Sequence, residues 1–137
     1  MAFIIISMLL SISSCKNENN PLMNPGDNCI SCHDGSEASK FTAAGTVYAD
    51  PEAAADSGLA GVEIHITDSE GHSVTLKSND AGNFYTAEKL TPPLNKEVRK
   101  NGITISSSTQ ADTGACATCH TIPPAQQTSG RIYWREE

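Results

Sequence analysis

The sequence predicts a mainly β protein: a small antiparallel β-sandwich flanked by two irregular segments. Three observations carry that prediction. Apolar and polar residues alternate with period two between Phe41 and Ser108. Turn-forming Asn, Asp and Gly punctuate those runs at short intervals, as in small sandwiches. Outside the N-terminal leader no stretch of useful length has helical period; 52–56 supplies one turn at most.

Gly45-Thr46-Val47-Tyr48 reads as a short first strand. In Val62-Glu63-Ile64-His65-Ile66-Thr67 the residues Val62, Ile64 and Ile66 share one face, and Glu63, His65 and Thr67 the other. Asp68-Ser69-Glu70-Gly71 is a turn, and Ser73-Val74-Thr75-Leu76-Lys77 alternates again, so the pair reads as a hairpin. Asn79-Asp80-Ala81-Gly82 is a second turn, leading into Asn83-Phe84-Tyr85-Thr86. Val98 and Ile103-Thr104-Ile105 supply more strand around the Asn101-Gly102 turn. Tyr133 and Trp134 fit either a last strand or a ligand-packing pair.

The first residues are apolar from Ala2 to Ile12 and end in Ile12-Ser13-Ser14-Cys15. A stretch this short followed by small residues is an export signal, not a membrane-spanning helix. It lacks the usual opening Lys or Arg. Ile12-Ser13-Ser14-Cys15 resembles a bacterial lipobox, which implies lipidation of Cys15. Lys16 at the following position, by that same resemblance, implies sorting to the outer membrane or cell surface. The expected division is a signal at 1–14, a polar tether at 15–28, a first cofactor segment at 29–41, the sandwich at 42–108 and a second cofactor segment at 109–137.

Two copies of Cys-x-x-Cys-His occupy those flanking segments: Cys29-Ile30-Ser31-Cys32-His33 and Cys116-Ala117-Thr118-Cys119-His120. Two thiols at this spacing suit the two vinyl groups on one edge of a haem, and the adjacent imidazole suits its iron. The expectation is two covalent haem c groups, with His33 and His120 as proximal ligands. The chain has five Cys. With Cys15 lipidated, none remains for a disulfide. The other two His, His65 and His72, are candidate distal ligands, and Met23 is a weaker one. On the alternation His65 points off the apolar face, toward a haem lying outside the sheet. Haem packing would support a sandwich too short to bury much core. A carbonyl in the Pro123-Pro124 loop is the expected acceptor for the His120 imidazole N–H.

Other constellations compete less well. A four-thiolate zinc site from Cys29, Cys32, Cys116 and Cys119 leaves both adjacent His unexplained, and no strand-helix pattern supports a thioredoxin-like dithiol. The acidic residues Asp50, Glu52, Asp56, Asp68, Glu70 and Asp80 lack calcium-loop spacing. Lys96, Arg99 and Lys100 form a basic cluster that reads as a solvated strand edge or as partners for haem propionates. A net charge of −7 over 137 residues argues against nucleic acid and anionic lipid as electrostatic partners.

Gly58-Leu59-Ala60-Gly61-Val62-Glu63-Ile64 followed by Ser78-Asn79-Asp80-Ala81-Gly82-Asn83-Phe84 resembles the carboxypeptidase regulatory-like group of prealbumin-type sandwiches. That resemblance implies a scaffold or adhesion module without catalytic residues. The two Cys-x-x-Cys-His motifs around it are similar to those of exported two-haem c-type cytochromes of environmental bacteria. The implied role is extracytoplasmic electron transfer to redox partner proteins of the cell envelope, with a lipid anchor to the membrane. Two alternatives share the cofactor: a subunit of a homopolymeric haem-stacked conductive filament, and a two-haem peroxidase-like enzyme. No catalytic residues are assigned.

Overall fold

A computed structural model describes residues 20–126 and 128–136; Cys15 and the leader lie outside the described residues. Among the described residues the protein is mainly β, with two sheets and, as helix, two short 3₁₀ turns at Cys29–Ser31 and Cys116–Thr118. None of the described helices is long and apolar enough to cross a membrane.

The first sheet is built around β1 (Ala43–Tyr48), all six residues of which are buried. Strand β4 (Asn83–Thr86) pairs antiparallel with it, placing Gly45 opposite Phe84. Two strands lie parallel to β1: β7 (Gly114–Ala115) against Ala43 and Ala44, and β8 (Ile132–Tyr133) against Val47 and Tyr48. The first sheet is therefore mixed, not purely antiparallel. The second sheet has the order β3-β2-β5-β6 and is antiparallel throughout. Its strands are β2 (Glu63–Thr67), β3 (Ser73–Lys77), β5 (Asn95–Lys100) and β6 (Ile103–Ser106).

Period-two alternation produces the sandwich directly. In β2, Ile64 and Ile66 are buried while Glu63 is exposed. These isoleucines join Val62, Val74 and Val98 from the second sheet and Ala43, Val47 and Phe84 from the first in one core. The turns are closed by side chains that replace water at backbone N–H groups. Asp68 Oδ1 accepts from the amides of Glu70 and His72, both at 2.9 Å, and its Oδ2 accepts from Thr91 at 3.0 Å. Those donors, Thr91 foremost, hold the Asp68 carboxyl below its ordinary pKa. Asn79 repeats the device, with Oδ1 accepting from Ala81 and Asn83 at 3.0 Å each. Gly82 closes that turn at φ +77°, and a Cβ there would lie 2.5 Å from the Val47 carbonyl oxygen.

Two segments expected to flank the sandwich belong to it. Tyr133 and Trp134 extend from β8, with the Trp134 amide donating to Tyr48 O at 2.9 Å. On the N-terminal side, the described part of the expected tether is docked. Asn79 Nδ2 donates to Pro21 O at 2.6 Å, Asn83 Nδ2 to Met23 O at 2.9 Å, and the Gly26 amide to Thr46 Oγ1 at 2.9 Å. Asn83 is buried and also accepts from Thr46 Oγ1, so buried polar groups fix this path.

Candidate functional site: the groove beside the second motif

The two Cys-x-x-Cys-His motifs adopt one local fold. In each, the first Cys opens a 3₁₀ turn and the second Cys closes it. The His33 amide donates to Cys29 O at 2.9 Å, and the His120 amide to Cys116 O at 3.0 Å. Each imidazole then has Nδ1 on a carbonyl: Ser39 O at 2.9 Å for His33 and Gly130 O at 2.8 Å for His120. A carbonyl oxygen only accepts, so Nδ1 carries the proton in both rings and Nε2 is the acceptor in the neutral form. The acceptor for His120 is Gly130, farther along the chain than the Pro123-Pro124 loop. Both 3₁₀ turns lie against β1.

Beyond that shared turn the motifs differ. The His33 ring is stacked on Phe41 at 4.0 Å, and Phe41 on Tyr85 at 4.6 Å, forming a ladder of three rings. Cys29, Cys116 and Cys119 are free thiols. Cys116 is buried, and its thiol is pushed up to about 11 by desolvation, opposed by the Lys96 ammonium. Burial likewise raises Cys29. Cys119 is half-buried, with Sγ 3.1 Å from Gln126 Oε1.

Cys116, Cys119 and His120 form part of the wall of a 740 Å³ groove. Its opposite wall is the inner face of the second sheet, where Ile64, Ile66, Val98 and Ile105 present their side chains. Two cations, Lys96 and Arg131, and two carboxylates, Glu97 and Asp112, also line the groove. Lys96 is registered opposite Ile66, so it shares the inward face of β5 with Val98. Its charge acts with burial to lower the His120 pKa, burial being the larger cause and the Gly130 hydrogen bond opposing both. Arg131 lies over the Tyr48 ring at 4.9 Å, and its Nε is buried with no hydrogen-bond partner among the described residues. The basic cluster of the sequence is therefore divided: Lys96 faces the groove, while Arg99 and Lys100 lie elsewhere. Strand period two separates only Arg99, which lies on the other face of β5; Lys96 and Lys100 share one face and differ in their place along the strand.

The expected distal ligands are not brought to either motif. His65 lies on the outward face of β2, with Nδ1 2.9 Å from Thr75 Oγ1. His72 sits at the end of the first hairpin, with Nε2 3.8 Å from a Glu88 carboxylate oxygen. Met23 lies in the docked N-terminal segment, its carbonyl held by Asn83.

The two-haem assignment is corrected by this arrangement. Among the described residues, no group of three or more His, Cys, Asp and Glu comes together that could hold a metal ion. The haem c cofactors, the iron-ligand roles of His33, His120, His65 and His72, and the two-haem c-type cytochrome family lose their support with it. So do electron transfer by two haems, the haem-stacked filament and the two-haem peroxidase, each of which requires those irons. The spacing of Cys29, Cys32, Cys116 and Cys119 identified real local turns, but local spacing does not by itself complete a ligand set. No protein-family model, curated protein or solved structure matches the chain, so the carboxypeptidase regulatory-like resemblance gains no support.

Proposed function

We propose that this chain is a non-enzymatic binding module of the cell envelope, exported and tethered through a lipid on Cys15. The groove beside the second motif is its ligand site. The ligand class is a small apolar molecule that carries an acidic group, and partner proteins of the envelope deliver or receive it. One observation carries the reading: a 740 Å³ groove walled by Ile64, Ile66, Val98 and Ile105, with the Lys96 and Arg131 cations in its lining beside the Glu97 and Asp112 carboxylates. Binding clefts for small molecules commonly span roughly 300–1,000 Å³ and combine apolar walls with a few placed polar groups. The apolar wall supplies affinity by burying ligand surface, and the cations orient the acid.

Nothing in this arrangement asks for catalysis. Cys116 is held as a protonated thiol at neutral pH, a weak nucleophile. His120 donates through Nδ1 to Gly130, which fixes its orientation within the wall.

Titration with a fluorescent apolar carboxylic acid tests the proposal. Saturable binding is expected, and Ser129→Trp should weaken it at least tenfold. Ser129 is exposed on the groove wall, so the indole blocks the groove without disturbing the core. Binding that is absent, or indifferent to Ser129→Trp, removes the groove as the site.

A further inference from the structure

A second concave site lies at the other end of β5, and its chemistry is different. Lys77, Arg99 and Lys100, with Glu63, line a 360 Å³ cup floored by Gly61 and the Asn101-Gly102 turn. Three cations and one carboxylate line this cup on a chain whose net charge is −7, and a second carboxylate, Glu97, pairs with Arg99. Strand register explains the convergence. Glu63 is paired with Lys77 on one side and Arg99 on the other, so the three side chains form a row across β3, β2 and β5. Lys100 reaches the cup from the end of β5, where Nζ donates to Ala60 O at 2.8 Å and lies 5.9 Å from the Trp134 ring centre.

Two of these side chains both pass close to Gly61. A Cβ placed on Gly61 would lie 3.9 Å from both Lys100 Nζ and Lys77 Cε. Neither lysine forms an ion pair among the described residues, whose ion pairs are His72–Glu88, Arg99–Glu97 and Arg135–Asp50. Arg99 spends Nε and Nη2 on Glu97, which leaves Nη1 without a hydrogen bond among the described residues. The cup is thus lined by two lysines without an ion pair among the described residues and by one guanidinium nitrogen left open.

We propose that the convergence of Lys77, Arg99 and Lys100 over Gly61 is a binding site for a phosphate group, separate from the apolar groove. Lysine ammonium and arginine guanidinium groups lining one small cup can give charge-assisted hydrogen bonds to the oxygens of phosphate. The phosphate comes from a lipid headgroup or from a free phosphate in the envelope.

The test is calorimetric titration of inorganic phosphate into the protein as exported, compared with Lys77→Gln and Lys100→Gln. Alongside it, the Cys15→Ser form is sedimented with phosphatidylglycerol vesicles, so that no lipid on Cys15 carries the protein down. Saturable phosphate binding, weakened about tenfold by either substitution, is the expected result. Vesicle binding that Lys77→Gln abolishes, without saturation by free phosphate, also supports the cup and assigns it to headgroups. Circular dichroism confirms the fold of each variant, and Lys77→Arg should restore binding. The proposal is overturned by the absence of saturable binding in both arms, or by binding that Lys77→Gln leaves unchanged.

Discussion

The His120 Nδ1 lies 2.8 Å from the carbonyl oxygen of Gly130, and this bond fixes the imidazole in the groove wall. Its counterpart in the first motif joins His33 to Ser39 at 2.9 Å. The same short turn therefore orients both rings, while their surroundings separate them: aromatic stacking around His33, and a sheet-lined groove beside His120.

Burial at the groove predicts a reactivity order for the thiols. Cys119 should be alkylated by iodoacetamide at pH 8 well before Cys116, whose thiol is buried and raised to about 11. The linked stability follows from sign. A thiol raised in the folded state contributes stability at pH values below the unfolded value of 9.0, and loses it as pH rises through about 11. His120 acts at the other end: its folded pKa is lowered, so its contribution is present above the unfolded value of about 6.5 and is lost as pH falls. Peptide mapping of alkylation against time checks the order. Equal rates at Cys116 and Cys119 would show that the Cys116 side chain is not enclosed.

Gly114→Ala should destabilise the fold by about 2–4 kcal/mol. A Cβ at this position would fall 2.0 Å from Thr42 O and 2.6 Å from Ala43 Cα, forcing β7 off β1. Because Cys116 follows β7 directly, apolar-ligand binding should weaken in the same variant. Urea unfolding, with titration of the folded fraction, reads both effects.

Cys15→Ser should move the protein from the detergent phase to the aqueous phase of a phase-partition assay. A single acyl chain binds membranes only marginally, so stable retention needs the multiple chains of a lipoprotein. Retention of the serine variant in the detergent phase would place the membrane attachment elsewhere.

Much of the sandwich was legible because period-two alternation and turn chemistry are local. Val62, Ile64 and Ile66 declared their face, and Asp68 and Asn79 declared turns that their carboxylate and amide oxygens close. The pairing of β7 and β8 was hidden. Two-residue strands carry no period, and their parallel alignment with β1 depends on a chain path that only the assembled core defines. The site was legible in part for the same reason. The motif spacing marked two real 3₁₀ turns with oriented imidazoles, but nothing local placed His65 and His72. Alternation assigned His65 to the outward face, as observed, yet could not say that no motif lies beside it. Lys96 was visible as a charge and hidden as a groove residue: alternation sets Arg99 apart, but Lys96 and Lys100 share a face of β5, and only the assembled fold shows that the groove lies at the Lys96 end.

Native mass spectrometry of the protein as exported, followed by denaturation and alkylation, tests the groove most directly. The account predicts a small apolar acid that accompanies the native chain and leaves on denaturation, after which Cys29, Cys116 and Cys119 all take the label. A native chain without ligand that also refuses the apolar probe would contradict it. So would a tetrapyrrole that remains joined to Cys116 and Cys119 after unfolding, which would restore the haem assignment.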